Sequence, residues 1–178
     1  MAAYFIAMNR CTGLSPEENF ELFKDGLYNS TLIRRAMGDA DTYLDPGKLP
    51  GRRRWAEKSH KRKYENDWVV DILEGTDQYE LGYDYHECGI CRLCQDEGCF
   101  ELAKYLCRLD FVLADIIGMD LFRTQTIAEG ADFCDFRYKK DKERGMYINE
   151  YGNQNGPKLM RMISMLYAAP AVTMTCSF

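Results

Sequence analysis

Residues 100–118, FELAKYLCRLDFVLADIIG, decide the fold of this chain because they form its most strongly periodic stretch. The apolar residues of this stretch recur at helical spacing, which predicts one amphipathic helix over residues 100–117. They form a single stripe: Leu102, Leu106, Leu109, Leu113 and Ile116. Gly118 follows directly and is a typical helix C-cap. We expect this helix to bury its stripe against a sheet.

Four β-rich runs flank the helix. Residues 68–73 and 79–86 predict one antiparallel hairpin whose second strand places its tyrosines on one face. Residues 121–128 and 133–138 predict a second hairpin that turns at residues 129–132 and pairs Arg123 with Tyr138. The expected fold is therefore α+β: N-terminal helices and a central four-stranded antiparallel sheet, with one long helix packed across it.

At 178 residues, the chain is expected to be a single domain over residues 1–178. Residues 1–50 form a helical lead-in, residues 67–140 the sheet and core helix, and residues 157–178 a C-terminal helix and tail. Ser15 and Glu18, with Pro16 between them, predict a capping box at a helix start. The Asp-Pro-Gly and Leu-Pro-Gly triplets of residues 45–51 predict a loop.

Composition argues against several classes of protein. The net charge of -5 makes a general nucleic-acid binder an unfavoured interpretation, because such binding depends on phosphate neutralisation. Seven basic residues between Arg52 and Lys63 are interpreted as a solvated helix face. The apolar residues 1–8 are too few to span a bilayer. We expect a cytoplasmic protein without a membrane or nucleic-acid partner. The methionine-rich C-terminal helix is a candidate surface for homo-oligomerisation.

Six of the eight cysteines fall within residues 84–140, which makes this segment the candidate site. One hypothesis is a zinc or iron–sulfur site held by Cys88, Cys91, Cys94 and Cys99. Their spacing departs from the ferredoxin pattern, because four residues rather than three precede the last cysteine and no proline follows it. Our preferred expectation is that no metal and no cofactor is bound.

The other hypothesis is a nucleophilic thiolate, which requires a group that activates it. His86 lies two residues before Cys88 and shares its face if both belong to one strand. Cys107 and Asp110 are three residues apart on the long helix, so they are neighbours on its flank. Cys134 is followed by Asp135 and Arg137.

Residues 50–140 resemble the L-2-amino-thiazoline-4-carboxylic acid hydrolase family. The likeness rests on Cys88, on Cys107-x2-Asp110 and on two blocks of the second hairpin. These blocks are Arg123-Thr124-x-Thr126-x-Ala128-x-Gly130 and Cys134-Asp135-Phe136-Arg137. The resemblance implies a bacterial hydrolase that opens a cyclic isothiourea, an aminothiazoline carboxylate, to an N-carbamoyl amino acid, and we expect it to act on a C–N bond.

The resemblance, combined with residue chemistry, leads to a set of expected roles. Cys134 or Cys107 is expected to be the catalytic nucleophile, and Asp110 or Asp135 the proton carrier or amidine partner. Arg137 or Arg123 is expected to hold the substrate carboxylate. The remaining substrate-binding candidates are Thr124, Thr126, His86 and Cys88. We expect Cys107, Asp110, Cys134, Asp135 and Arg137 to share one pocket for a small-molecule substrate. Strand alternation puts Cys134 on the opposite face of its strand from Asp135 and Arg137, so all five can meet only at a bulge or a sheet edge.

A non-enzymatic alternative remains open. A helical N-terminal half followed by a four-stranded antiparallel sheet is similar to small-ligand sensor modules of the vinyl-reductase type. A sensor would bind a small molecule stoichiometrically and leave it unchanged, whereas a hydrolase would turn it over. The similarity is one of fold and by itself assigns no chemistry.

Overall fold

The structure, a computed structural model, describes residues 1–141, of which residues 1–140 form one compact unit. Its helices are α1 (Ala2–Cys11), α2 (Pro16–Asn29), α3 (Thr31–Met37), α4 (Ala40–Leu44), α5 (Leu49–Ser59), α6 (Gly89–Asp96) and α7 (Ala103–Ile116). Its strands are β1 (Val69–Glu74), β2 (Leu81–Glu87), β3 (Met119–Phe122) and β4 (Cys134–Lys140). The α+β prediction is confirmed. The predicted helix within residues 157–178 lies outside the described residues.

Local signals explain where several helices begin. The capping box at α2 is present: Ser15 Oγ accepts from the Glu18 N–H, and Glu18 Oε2 accepts from the Ser15 N–H. The prediction of a loop throughout residues 45–51 is wrong at its end, because α5 begins at Leu49. Pro50 does not prevent this, since proline has no lost hydrogen bond in the first helical turn.

The sheet is antiparallel with the strand order β1-β2-β4-β3. Strand alternation gives it two different faces. Tyr83 and Tyr85 of β2 pair with Phe136 and Cys134 of β4, and these side chains point into the core. Asp84 pairs with Asp135 on the outer face. This division decides which candidate residues can meet.

The register predicted for the second hairpin is wrong. Leu121, rather than Arg123, pairs with Tyr138, and β3 ends at Phe122. The Asp135 carboxylate explains the early end of the strand. It accepts hydrogen bonds from the backbone N–H groups of Thr124 and Gln125, each at 2.9 Å, and from the Thr124 hydroxyl at 2.6 Å. Residues 123–133 therefore form a loop between β3 and β4.

Helix α7 links two hydrophobic clusters. Leu106, Leu109 and Val112 pack with α1, α2 and α6, whereas Ala114 packs with the inner face of the sheet. A 3₁₀ turn over Phe100–Leu102 precedes α7, and Gly118 follows it with a φ of 80°. The predicted long helix across the sheet is confirmed. The expectation that its leucine stripe packs on the sheet is wrong, because that stripe packs against the other helices and the end of α7 contacts the sheet.

Candidate active site

A cavity of about 430 Å³ lies between α7 and the inner face of the sheet. Its walls are mostly apolar and aromatic, as in many small-molecule sites. The aromatic side chains come from several parts of the chain: Tyr43, Trp55, Trp68, Tyr85, Phe136 and Tyr138. Within the described part of the chain, Asp110 is the one charged residue among those lining the cavity.

Three thiols join Asp110 in this cavity. Cys107 and Asp110 project from the same flank of α7, and Cys134 enters from the inner face of β4. Cys88 lies at the turn between β2 and α6. The structure thus brings together Cys88, Cys107, Asp110 and Cys134, residues that span nearly fifty positions of the sequence.

Cys88 differs electrostatically from the other two thiols. It occupies the N-cap position of α6. The Cys91 thiol and the backbone N–H groups of Cys91 and Ile90 lower the pKa of the Cys88 thiol to about 7, although burial and the Asp110 charge oppose this. Because a thiolate is the reactive form of cysteine, Cys88 is the thiol prepared for nucleophilic chemistry near neutral pH.

The turn that presents Cys88 depends on Gly89. A Cβ added at Gly89 would lie 2.5 Å from the backbone oxygen of Asn66, too close for any side chain. Glycine allows the chain to pass directly from β2 into α6 at this close contact. As a result, Cys88 leaves the strand and faces the cavity.

Cys107 and Cys134 are held as neutral thiols. Burial raises the pKa of the Cys107 thiol to about 12, and the neighbouring Asp110 charge adds to this effect. Burial also raises the pKa of the Cys134 thiol, although the Ile127 N–H donates a hydrogen bond to its Sγ at 3.2 Å. Both cysteines were predicted nucleophiles. They line the same cavity as Cys88, but their pKa values are raised, whereas the pKa of Cys88 is lowered.

Asp110 is paired with Arg123. Arg123 Nη1 lies 2.9 Å from Asp110 Oδ2, and Nη2 donates to the Cys107 carbonyl at 3.0 Å. The guanidinium carbon is 4.8 Å from the ring centroids of both Phe111 and Phe136. Burial nevertheless raises the pKa of Asp110 to about 6, with Arg123 opposing the rise. The two terminal nitrogens of Arg123 are thus already occupied by protein groups. Arg123 therefore orients Asp110.

The structure does not bring Asp135 and Arg137 into the cavity. Both side chains are on the outer face of β4, because they alternate with Cys134 and Phe136. Asp135 accepts the hydrogen bonds of the 123–133 loop described above. Arg137 Nη1 lies 2.7 Å from Asp84 Oδ1 and also donates to the Phe136 carbonyl. These contacts support loop and sheet structure.

The condition under which His86 and Cys88 would share a face, that both belong to one strand, is not met. His86 is exposed on the outer face of β2, where its Nε2 lies 2.9 Å from Asp71 Oδ2. His60 Nε2 contacts the other oxygen of the same carboxylate at 2.8 Å. The reason is that β2 ends at Glu87, so strand alternation no longer applies to Cys88.

Thr124 and Thr126 line a second, more polar cleft of about 350 Å³. Arg123 and Cys107 also line this cleft, and Cys107 lines the aromatic cavity as well. Thr126 is buried, and its hydroxyl donates to Glu129 Oε2 at 2.8 Å. The two threonines therefore belong to the loop wall beside the cavity.

The four-cysteine metal hypothesis can be compared with the sulfur positions. Across residues 1–141, no group of three or more His, Cys, Asp or Glu side chains has an arrangement that could hold a metal ion. Cys91, Cys94 and Cys99 are buried in the hydrophobic cluster beside α7. Cys94 is fully buried, and its backbone oxygen accepts a hydrogen bond from the Cys99 N–H at 2.8 Å.

Sequence reasoning missed two features of the site. Trp55, Trp68 and Tyr43 were not identified as walls of a cavity, because they lie in separate elements with no shared periodicity. Cys88 was considered as a thiolate beside His86, but the role finally expected of it was substrate binding. A signal was available, since Cys88-x2-Cys91 at the start of a helix is a spacing that lowers the pKa of its first thiol.

Comparison with known proteins agrees with the sequence resemblance. None of the helices in the described residues is long and apolar enough to cross a bilayer. No curated protein and no solved structure matches the chain. The sequence model of the L-2-amino-thiazoline-4-carboxylic acid hydrolase family matches residues 1–138, which includes the N-terminal segment that the resemblance left out. The chain belongs to the L-2-amino-thiazoline-4-carboxylic acid hydrolase family.

Proposed function

We propose that this protein hydrolytically opens the ring of a small cyclic amidine or isothiourea that carries a carboxylate, such as 2-aminothiazoline-4-carboxylate. The family membership supports this class of substrate. The observation that carries the residue assignment is the shared cavity of Cys88 and Asp110, with Cys88 at the start of α6. Cys88 is the nucleophile in this proposal, in place of Cys107 or Cys134.

The cavity suits a flat cationic group. A protonated amidine is planar, and aromatic rings attract cations that lie against their faces. Trp68 and Tyr85 lie in the same wall as Cys88, and the Asp110 carboxylate can accept charge-assisted hydrogen bonds from amidine N–H groups. Arg123 holds that carboxylate in one orientation. The amidine carbon is thereby directed towards the Cys88 sulfur.

The reaction proceeds in two displacement steps. The expected N-carbamoyl product keeps both nitrogens on the amidine carbon, so the ring C–S bond breaks and the C–N bonds stay intact. In the first step, Cys88 Sγ adds to the carbon of the protonated amidine, and the ring sulfur leaves as a thiolate. In the second, water adds to the same carbon and gives a proton to the Asp110 carboxylate, and the Cys88 thiolate is expelled. The remaining hydroxyl proton passes to the released ring thiolate, which gives an N-carbamoyl amino acid with a free thiol. A carboxyl with a pKa of about 6 can accept and return a proton near neutral pH.

Cys107 and Cys134 have a different role in this scheme. Their raised pKa values keep them as uncharged, small wall residues beside the reacting thiolate. An uncharged neighbour is favourable, because a second thiolate in the cavity would repel the first. Serine at either position is therefore expected to change substrate fit more than nucleophilic chemistry.

The test is a turnover assay with 2-aminothiazoline-4-carboxylate, in which the ring-opened product is detected by mass spectrometry. Wild type is expected to turn over, and Cys88→Ser is expected to lose roughly 10³-fold or more in kcat. Cys99→Ser is the matched control, because Cys99 lies outside the cavity. Its melting temperature and that of Cys88→Ser report whether each variant folds.

Two outcomes would overturn the proposal. If Cys88→Ser keeps wild-type turnover, Cys88 is not the nucleophile. If wild type binds the compound at one molecule per chain without converting it, the protein is a ligand-binding module for that compound. Isothermal titration and the product assay, performed on the same preparation, separate these outcomes.

A further inference from the structure

Two thiols lie at the start of α6. Cys88 is the N-cap residue and Cys91 lies in the first turn, so their spacing of three places both on one side of the helix. Cys91 is buried in the hydrophobic cluster beside α7, and Cys88 packs against the same cluster. Both are free cysteines in the structure. The hydrolytic scheme uses Cys88 but gives Cys91 no role.

The two thiols differ in access. Cys88 is partly buried and lines the aromatic cavity, whereas Cys91 is 4% exposed and belongs to the hydrophobic cluster behind it. A reagent that enters the cavity therefore meets Cys88 first. Cys91 is not among the residues that line this cavity. This is the arrangement of an attacking thiol backed by a resolving thiol.

We propose that Cys88 and Cys91 are a redox-active dithiol, which closes to an intramolecular disulfide by exchange with low-molecular-weight disulfides. This modification goes beyond the proposed hydrolysis, and its formation does not depend on hydrolytic activity. Only its consequence for turnover rests on the proposed function, because the disulfide would consume the nucleophile.

The exchange balances in two steps. The Cys88 thiolate attacks one sulfur of the small disulfide, forms a mixed disulfide and releases one small thiolate. The Cys91 thiolate then attacks Cys88 Sγ and releases the second small thiolate. The protein dithiol loses two electrons and two protons, and the small disulfide is reduced to two thiols. No further oxidant is needed.

The electrostatics of the pair favour this order. Cys88 is the thiol with the lowered pKa, so it is the one that attacks first. The hydrogen bond with Cys88 is the largest cause of the raised pKa of Cys91, followed by burial and the Cys88 charge. A mixed disulfide at Cys88 removes the first and third of these causes. The pKa of Cys91 then falls at the moment when its thiolate is required.

Other cysteines are competing partners for Cys88. Cys107 and Cys134 share its cavity, and Cys94 lies three residues beyond Cys91 on α6. Cys94 is fully buried and is not among the residues that line the cavity. Cys107 and Cys134 approach from other elements and carry raised pKa values from burial. The spacing of Cys88 and Cys91 is therefore the one that favours ring closure.

Peptide mapping decides between these partners. Full-length protein is incubated with oxidised glutathione, free thiols are alkylated, and the chain is digested with trypsin without reduction. Residues 64–92 form one tryptic peptide that contains both Cys88 and Cys91, whereas Cys94, Cys107 and Cys134 fall in three other peptides. A Cys88–Cys91 disulfide leaves the 64–92 peptide uncrosslinked, unalkylated and lighter by two hydrogens.

We expect most of the 64–92 peptide to appear in this internally oxidised form, and dithiothreitol to reverse it. Cys91→Ser is expected to stop at a stable glutathione adduct on Cys88. Cys94→Ser is the matched control on the same helix, and it should oxidise as wild type does. A crosslink from 64–92 to another peptide, or no oxidation of this peptide in wild type, would overturn the proposal.

Turnover measured on the same samples keeps the two proposals distinct. If the proposed hydrolysis is correct, oxidised wild type loses activity and regains it on reduction. If wild type has no hydrolytic activity in either state, the hydrolysis proposal fails, but the peptide map still decides the redox inference. The map requires only folded wild-type protein, so it stands even if a cysteine variant fails to fold.

Discussion

Arg123 Nη1 lies 2.9 Å from Asp110 Oδ2, and the Arg123 side chain is 5% exposed. A guanidinium so nearly enclosed must have polar partners, because an unpaired buried charge is costly. Asp110, the Cys107 carbonyl and two aromatic rings supply them. Arg123 thus links the 123–133 loop to α7 and sets the position of the cavity's charged group.

Arg123→Met should therefore destabilise the fold. We expect the free energy of unfolding to fall by about 2–3 kcal/mol, because Asp110 and the Cys107 carbonyl lose their partner. Arg10→Met is the matched control, since Arg10 pairs with Glu97 at 2.8 Å in an exposed site and should cost at most about 1 kcal/mol. Urea unfolding measures both, and equal losses would contradict the structural role of Arg123.

Stability should depend on pH through Asp110. Burial raises the pKa of Asp110 from its ordinary value of 3.8 to about 6, so between these values the folded chain binds more protons than the unfolded chain. The contribution of this group to the free energy of unfolding therefore falls as the pH rises through this range. The Asp110 side chain is 33% exposed, so solvent screens part of this effect. The contribution to the free energy of unfolding should therefore fall by about 1–2 kcal/mol.

Asp110→Asn isolates this effect. The difference in unfolding free energy between wild type and Asp110→Asn should move in favour of the variant as the pH rises from about 4 to 7. Urea titrations at several pH values measure this difference. A difference that does not change with pH, or that changes in the opposite direction, would show that the pKa of Asp110 is not raised.

The reactivity of Cys88 should report its lowered pKa. We expect the rate of alkylation of Cys88 by iodoacetamide, followed by mass spectrometry, to rise through an inflection near pH 7, where the thiol ionises. Asp110 raises the pKa of Cys88, so Asp110→Asn should shift the inflection to lower pH. Cys107 is the internal comparison, because its pKa of about 12 should leave it unreactive in this range.

Gly89→Ala should disturb the turn that presents Cys88. Its Cβ would meet the Asn66 backbone oxygen at 2.5 Å, so the backbone must shift, at a cost of about 1–3 kcal/mol. Gly51→Ala in α5 is the control, because a Cβ there has no neighbour within 4 Å. Thermal unfolding should show a lower melting temperature for Gly89→Ala and an unchanged or higher one for Gly51→Ala.

Local periodicity determined much of the fold from the sequence alone. Side chains three or four residues apart share a helix face, which was sufficient to predict α7 and to place Cys107 beside Asp110. Strand alternation was sufficient to separate Cys134 from Asp135 and Arg137. The capping box at Ser15 was also readable, because all its hydrogen bonds are made within four residues.

Tertiary contacts decided the remaining features of the site. The Asn66 oxygen against Gly89 turns Cys88 towards the cavity, and Asp135 ends β3 by binding Thr124. Arg123 is committed to Asp110, thirteen residues earlier in the chain. The residues that each contact joins are not separated by a helical or a strand repeat in the sequence, so periodicity could not predict the contact. The pKa of a thiol depends on the burial and charges that these contacts create, so the sequence indicated a group of cysteines and only the folded chain distinguished Cys88 among them.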